Sequence, residues 1–373
     1  MRNQFLFPFF IVYCMYQCAG EKSGDGLIFA HILFRHGERN ILSPYPSDDF
    51  KDEKYWPGGF GELNSIGRKQ QYELGEYLAR RYKNLIGENG YHKDKVYVRS
   101  TDVDRTLSSA AHTLAGMFPP TKKQIWNEKF GRLWHSIPIH TVPGIEDEIL
   151  GVKKPCPRYR LAINKAKNSH EIQALIKQHD ELLKNLTRFT NSSIASVGDV
   201  HKLYDTLKVE HSKGLKIPKY LKDLVKEGSD MEKVANMQFS FYAKTRDTAR
   251  IRPGFLFKEI LEHFVQKANK TLTPDRNLWI YSAHDVTIVT ILNALGIFPP
   301  KTPTYSSSLF FELHKTGDKF HIEIYYKHER GNDKVPLKPL NIRCGIKCSL
   351  DAFYGAYNDI IPTKDFDTEC KLD

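Results

Sequence analysis

The chain has 373 residues, of which 40% are hydrophobic, 12% aromatic and 27% charged. That composition excludes a disordered or fibrous polymer and allows a sizeable core. The net charge of +11 reflects 55 Lys and Arg against 44 Asp and Glu, which favours acidic ligands without specifying a fold. These cations are dispersed, as at Arg68-Lys69, Arg80-Arg81 and Lys153-Lys154. With no basic tail and no interleaved aromatic stripe, nucleic-acid binding is not expected.

Arg2 precedes the apolar run Phe5 to Met15, and Cys18, Ala19 and Gly20 follow it. This predicts a signal peptide over residues 1–20, too short to be a membrane span. The expected product is secreted and extracellular, without a membrane-spanning helix. Of six cysteines, Cys14 and Cys18 fall in that leader, leaving Cys156, Cys344, Cys348 and Cys370. Four in an oxidising compartment favour two disulfides. Cys344 and Cys348 could also form half a zinc site, but no matching His/Cys pair lies close by. Asn185, Asn191 and Asn269 each begin an Asn-x-Ser/Thr acceptor for glycosylation.

Leu27 to Phe34 is nearly continuous apolar sequence and predicts a strand buried on both faces, as in α/β sheets. His31 within it reads as a packed core histidine. Leu74, Tyr77, Leu78 and Tyr82 recur at helical spacing. A short strand over 96–98 then runs into Arg99-Ser100-Thr101-Asp102, and a helix from about Asp104 stops before Pro119. Residues 146–254 are lysine-rich and polar with helical stretches, and read as an inserted cap. Strand and helix alternation resumes at Leu278. Ser308–His314 and Phe320–Tyr326 read as an antiparallel pair. The expected fold is α/β, a mainly parallel sheet flanked by helices and resembling phosphoglycerate mutase. The α/β unit spans 21–145 and 255–373, with the smaller helical cap between.

Three strands end in polar clusters: Arg35-His36-Gly37-Glu38-Arg39, Arg99-Ser100-Thr101-Asp102 and Ser282-Ala283-His284-Asp285. Ligands of open α/β sheets bind beyond the carboxyl ends of strands, so the clusters are expected to converge. Three arginines and two histidines beside one acid would repel one another unless an anion balanced them. Arginine forks match tetrahedral oxyanions, which points to phosphate. A neutral imidazole can attack phosphorus, and Asp285, when protonated, can supply the proton a leaving alkoxide needs. Gly37 is expected to let the backbone turn closely around the phosphate. Arg105 reads as an ion-pair partner of Asp102 or Asp104. Asp285 also suits a helix N-cap.

Arg35 to Arg39 resembles the Arg-His-Gly-x-Arg-x-Pro signature of the histidine acid phosphatases. Arg99 to Leu107 and Ser282 to Asp285 are similar to that family's other two landmarks. Trp56-Pro57, Gly59 to Leu63, Gln71 to Tyr77 and Pro138 to Pro143 resemble its prostatic and lysosomal branch. The resemblance implies an acid phosphatase hydrolysing small phosphate monoesters, with His36 as nucleophile and Asp285 as proton donor. It further implies phosphate ligands Arg35, Arg39, Arg99 and His284, no metal or other cofactor, and pairs Cys156–Cys370 and Cys344–Cys348. Homodimers occur among such relatives, although no interface can be read from the sequence. Two alternatives share the scaffold: a weakly catalytic secreted protein that binds amines or lipid mediators, and an inositol-phosphate enzyme needing a more basic pocket rim.

Asn40-Ile41 departs from the signature, which ends in x-Pro. Losing the proline's restriction costs about 0.4–1 kcal/mol through the unfolded state. Asn40 and Ile41 are expected at the pocket mouth, facing the alcohol of the substrate.

Overall fold

The structure, a computed structural model, describes residues 26–372 apart from 88–89, 122–123, 130–133, 152 and 329–335. The expected signal peptide lies outside the described residues. Among these residues one sheet holds six strands: β1 Gly26–Arg35, β2 Val96–Ser100, β3 Leu278–Ala283, β4 Ser308–Thr316, β5 Lys319–Lys327 and β6 Cys348–Ser349. Their order is β2-β3-β1-β4-β5-β6. β1 and β2 both run parallel to β3, whereas β4, β5 and β6 add antiparallel neighbours beyond β1. The sheet is therefore mixed with a parallel centre. Gly317, at a φ of +60°, sits in the turn joining β4 to β5.

Around the sheet lie α1 Ser65–Arg81, α2 Lys83–Ile86, α3 Asp104–Met117, α4 Pro157–Lys167, α5 His170–Gln178, α6 Asp180–Thr190 and α7 Val197–Ser212. They are followed by α8 Lys219–Leu224, α9 Asp230–Asn236, α10 Arg246–Ile251, α11 Gly254–Ala268, α12 Asp285–Leu295, α13 Leu350–Tyr357 and α14 Phe366–Glu369.

β1 alternates between two cores, as a strand's period of two requires. Phe29 and Leu33 join the cluster that includes Phe257, Phe264 and Leu292 of α11 and α12, while Ala30, Ile32 and Phe34 join Leu74, Leu78 and Leu114 of α1 and α3. Each such large side chain, fully buried, contributes roughly 1.5–3 kcal/mol. His31 is wholly buried, stacked between the rings of His263 and Tyr281, with both ring nitrogens unpartnered.

Helices α4 to α9 have a separate core of their own, with Leu186, Val200, Leu207 and Met231 among its buried members. α7 is its longest helix and begins with a capping box, Ser196 accepting from the backbone of Asp199. Cys156 is joined to Cys370 and Cys344 to Cys348. Asn185, Asn191 and Asn269 are exposed. No helix among the described residues is long and apolar enough to cross a membrane.

Candidate active site

The sheet register fixes where the polar clusters meet. Arg35 is level with Ala283 and Ser100 is level with Ser282, so β1, β3 and β2 end together. The chain stays pinned just past those ends: His36 N–H donates to Ala283 O and Thr101 N–H to Ser282 O, at 3.0 and 3.1 Å. Gly37 follows because the loop presses on the start of α1. A Cβ there would lie 2.4 Å from the Gly67 carbonyl oxygen. Its φ is not positive, so close helix approach, not a turn around a ligand, demands the glycine.

His36 is buried, and its Nδ1 lies 2.8 Å from its neighbour's carbonyl, Gly37 O. A carbonyl only accepts, so Nδ1 carries the proton and the lone pair is on Nε2. Burial first, then the charges of Arg35, Arg105, His284 and Arg39, hold the ring's pKa well below 6.5. The ring stays neutral under mildly acidic conditions. Rings of His284 and Tyr305 lie 5.6 and 5.8 Å from it, centroid to centroid.

Arg35 donates to Pro303 O at 2.5 Å, pairs with Asp285 Oδ2 at 2.8 Å and lies 4.2 Å over the Tyr305 ring. Arg39 pairs with Asp205 of α7 at 2.8 Å and donates to Asn40 O at 3.1 Å. The Nε atoms of Arg35, Arg39 and Arg105 are buried without partners. Such orphaned donors are costly unless a ligand satisfies them. Asp285 opens α12 and accepts from Val286 N–H at 2.7 Å. Burial pushes its pKa up, but Arg35, His201, His284 and the Val286 N–H outweigh that and bring it down to about 2. His284 contacts Thr101 Oγ1 through Nε2 at 3.0 Å and is lowered to about 4, chiefly by burial.

The two arginines of the second landmark exchange the places expected of them. Arg99 pairs with Asp147 Oδ1 at 2.6 Å, away from the Arg35–Asp285 pair. β2 explains it: Val96 and Val98 face the α1–α3 core, so Tyr97 and Arg99 face the other side. Arg105, on the first turn of α3, is the one that reaches the cluster. Its pKa is lowered by burial and by Arg39 and Arg35, and no ion pair joins it to Asp102 or Asp104. Asn40 and Ile41 also differ from expectation. Ile41 is buried against Trp56 and Val209, and Asn40 Nδ2 donates to Pro57 O and Gly59 O at 3.0 and 2.8 Å. They brace the 57–59 loop instead of facing a ligand.

A cavity of about 270 Å³ opens beside Arg35 and Asp285, with His201, Tyr204 and Lys208 of α7, Glu232 of α9 and the 301–305 loop around it. His201, Asp205 and Tyr305 had no local sequence signal. They arrive from α7 and from the 301–305 loop, more than 160 residues from Arg39 along the chain, and only tertiary packing brings them in.

Known proteins agree with this architecture. A family model described as "Histidine phosphatase superfamily (branch 2)" matches residues 26–327. Lysosomal acid phosphatase of Rattus norvegicus is 35% identical over 352 residues, covering 93% of this chain and 80% of that protein. Prostatic acid phosphatase of Homo sapiens is 33% identical over 347 residues, covering 92% and 88%. Among solved structures, the phytase from Citrobacter braakii aligns with a TM-score of 0.67 at 17% identity, covering 93% of this chain and 100% of that one. At that identity the likeness is one of fold.

Proposed function

The chain belongs to the histidine phosphatase superfamily, branch 2, and is a phosphomonoester hydrolase akin to the acid phosphatases; we propose that it works through a phosphohistidine on His36. In this mechanism Nε2 attacks phosphorus, the P–O bond to the alcohol breaks, and water later cleaves the N–P bond. Arg35, Arg39 and Arg105 grip the equatorial oxygens as charge builds there, with His284 beside them and the N-terminus of α12 facing the same anion. Arg99 is assigned to holding Asp147. Asp285 delivers the leaving group's proton. It is ionised in the free site, and a bound phosphate competes for Arg35, which raises the affinity of Asp285 for a proton.

The observation that carries this reading is a neutral imidazole with Nδ1 tied to a carbonyl and its reactive Nε2 set among three arginines with orphaned Nε donors. A protein that merely stored an amine would gain nothing from those cations. A dedicated inositol-polyphosphate site is not favoured either: Glu38, Asp205, Glu232 and Asp285 face the cavity against Arg35, Lys208 and Lys301. That balance suits a small monoester whose single phosphate is held at the sheet.

We take residues 146–254 as the cap over an α/β unit formed by 21–145 and 255–373. The exposed Asn185, Asn191 and Asn269 and the two disulfides support a secreted glycoprotein made with the 1–20 leader. Hydrolysis of para-nitrophenyl phosphate in mild acid tests the reaction. Turnover by the wild type and its loss in a folded His36→Ala variant are expected, whereas comparable turnover by the variant would refute the assignment.

A further inference from the structure

We propose that Asp205 of α7 is a positioning residue for the reaction, one that aims the Arg39 guanidinium at the phosphoryl group. The inference rests on the phosphatase mechanism above, in which Arg39 grips the equatorial oxygens. Its basis is a direct contact, Arg39 Nη2 donating to Asp205 Oδ2 at 2.8 Å across 166 residues of chain.

An arginine has much rotamer freedom, so a guanidinium beside an open cavity needs anchors to stay aimed. The backbone of Arg39 is fixed first. It pairs with Leu63 in an antiparallel bridge, and the next N–H, that of Asn40, donates to Glu62 O at 2.9 Å. The head is then fixed at two corners, Nη1 on Asn40 O at 3.1 Å and Nη2 on Asp205. Two anchors set both the place and the plane of the fork. The Nε–H stays buried and without a partner, ready for a ligand oxygen.

The two anchors differ in what they fix. Asn40 O belongs to the same loop as Arg39, so only Asp205 ties the guanidinium to a second element. That element is itself strapped along the loop. Thr206 Oγ1 donates to Ser43 O at 3.4 Å, and Ser212 Oγ donates to Glu38 Oε1 at 3.3 Å. Glu38 Oε1 also accepts from Asn64 Nδ2, the N-cap of α1, at 3.1 Å. Asp205 and Ser212 stand about two helical turns apart and share a face of α7. They hold adjacent residues of the loop, Arg39 and Glu38, directly after the nucleophile.

Asp205 also lines the cavity beside Arg35 and Asp285, so its charge and its grip oppose each other there. A carboxylate near an anion repels it, and by charge alone removing Asp205 would tighten phosphate binding. By placement, removing it frees the Arg39 head, and the ligand must then order the fork itself. Placement prevails in this account, because the carboxylate is already neutralised by Arg39 at 2.8 Å.

The test compares wild type with Asp205→Ala and Asp205→Asn, alone and on an Arg39→Gln background. Turnover of para-nitrophenyl phosphate and calorimetric titration with inorganic phosphate are read in folded variants. Asp205→Ala should lower kcat about 100-fold, the scale of a misplacement of about 1 Å, and weaken phosphate binding about tenfold. Asp205→Asn keeps an oxygen able to accept from Nη2 and should retain kcat within about fivefold. On the Arg39→Gln background, Asp205→Ala should cost less than about twofold more, since Arg39 is no longer there to be placed. Equal fold-losses on both backgrounds would make Asp205 a merely structural residue and overturn the proposal. Tighter phosphate binding by Asp205→Ala, or an Asp205→Asn variant as impaired as the alanine, would overturn it in favour of charge. Wild-type turnover that survives His36→Ala would instead count against the phosphatase mechanism beneath it.

Discussion

At the scale of single residues, the exchange between Arg99 and Arg105 is the sharpest consequence of the geometry. Arg105→Ala removes a donor aimed at the phosphate, and such losses typically cost about 100- to 1,000-fold in kcat. Steady-state kinetics on this variant should show that fall with little change in melting temperature. Arg99→Ala should do the reverse. It strands Asp147, whose side chain is wholly buried, and breaking a buried pair costs about 3–5 kcal/mol. Denaturant unfolding of both variants checks the contrast, and a catalytic loss confined to Arg99→Ala would contradict it. Both arginines stand in one nine-residue motif, so residue type could not separate them. Strand alternation could: Val96 and Val98 set the core face, which turns Arg99 away, while a first-turn position on α3 faces the strand ends. The pH dependence belongs to this scale too. With His36 held neutral well below 6.5, protonating it should limit kcat/KM only at pH values well under 6.5. An acid limb at or above 6.5 in the rate profile would show that the imidazole is not the buried, cation-flanked group described.

Elements carry the site by how closely they approach one another. α1 and α3 touch backbone to backbone, since a Cβ on Gly75 would lie 2.0 Å from Thr113 O and one on Gly116 would lie 2.2 Å from Tyr72 O. Gly116→Ala must push α3 outward, and Arg105 stands on the first turn of that helix. The expected outcome is a destabilisation of about 1–3 kcal/mol typical of overpacking, together with reduced kcat/KM. A fully active and equally stable variant would mean that α3 does not set the position of Arg105. Helix α3, the hairpin of β4 and β5, and β1, buried from Phe29 onward, were legible from periodicity and turn residues. The close helix contact was not, because a glycine within a helical pattern carries no mark of which neighbour it admits. The 57–59 loop was equally hidden: Asn40 reads as a polar pocket residue, yet its amide nitrogen is spent on two carbonyls and Ile41 on a core.

Across the whole molecule, the inward histidines set an acid-stability cost. His31, His36, His201, His263 and His284 all have pKa values lowered primarily by burial, His263 and His284 to about 4. The unfolded chain takes up protons near 6.5 while the folded chain does not. Stability is therefore complete above 6.5 and falls as pH drops from 6.5 toward 4, by up to about 1.4 kcal/mol per unit for each histidine kept neutral. Thermal unfolding should show melting temperature decreasing over that window. Inorganic phosphate should restore more stability at its acid end than at neutrality, because the anion offsets the charges it helps the site to accept. A flat profile would contradict the burial of these rings. The sheet and the sequence of landmarks were readable from the chain because each is local pattern. The contribution of α7 was not, since His201 and Asp205 look like ordinary surface positions until packing brings that helix beside Arg35 and Arg39.

The most direct measurement is a rapid quench during turnover, in alkali to preserve phosphoramidates, followed by mass spectrometric mapping of the labelled peptide. A phosphoryl group on His36, formed in a burst before steady state and missing in His36→Ala, is the predicted result. Turnover without any adduct, or an adduct on another side chain, would contradict attack by the imidazole.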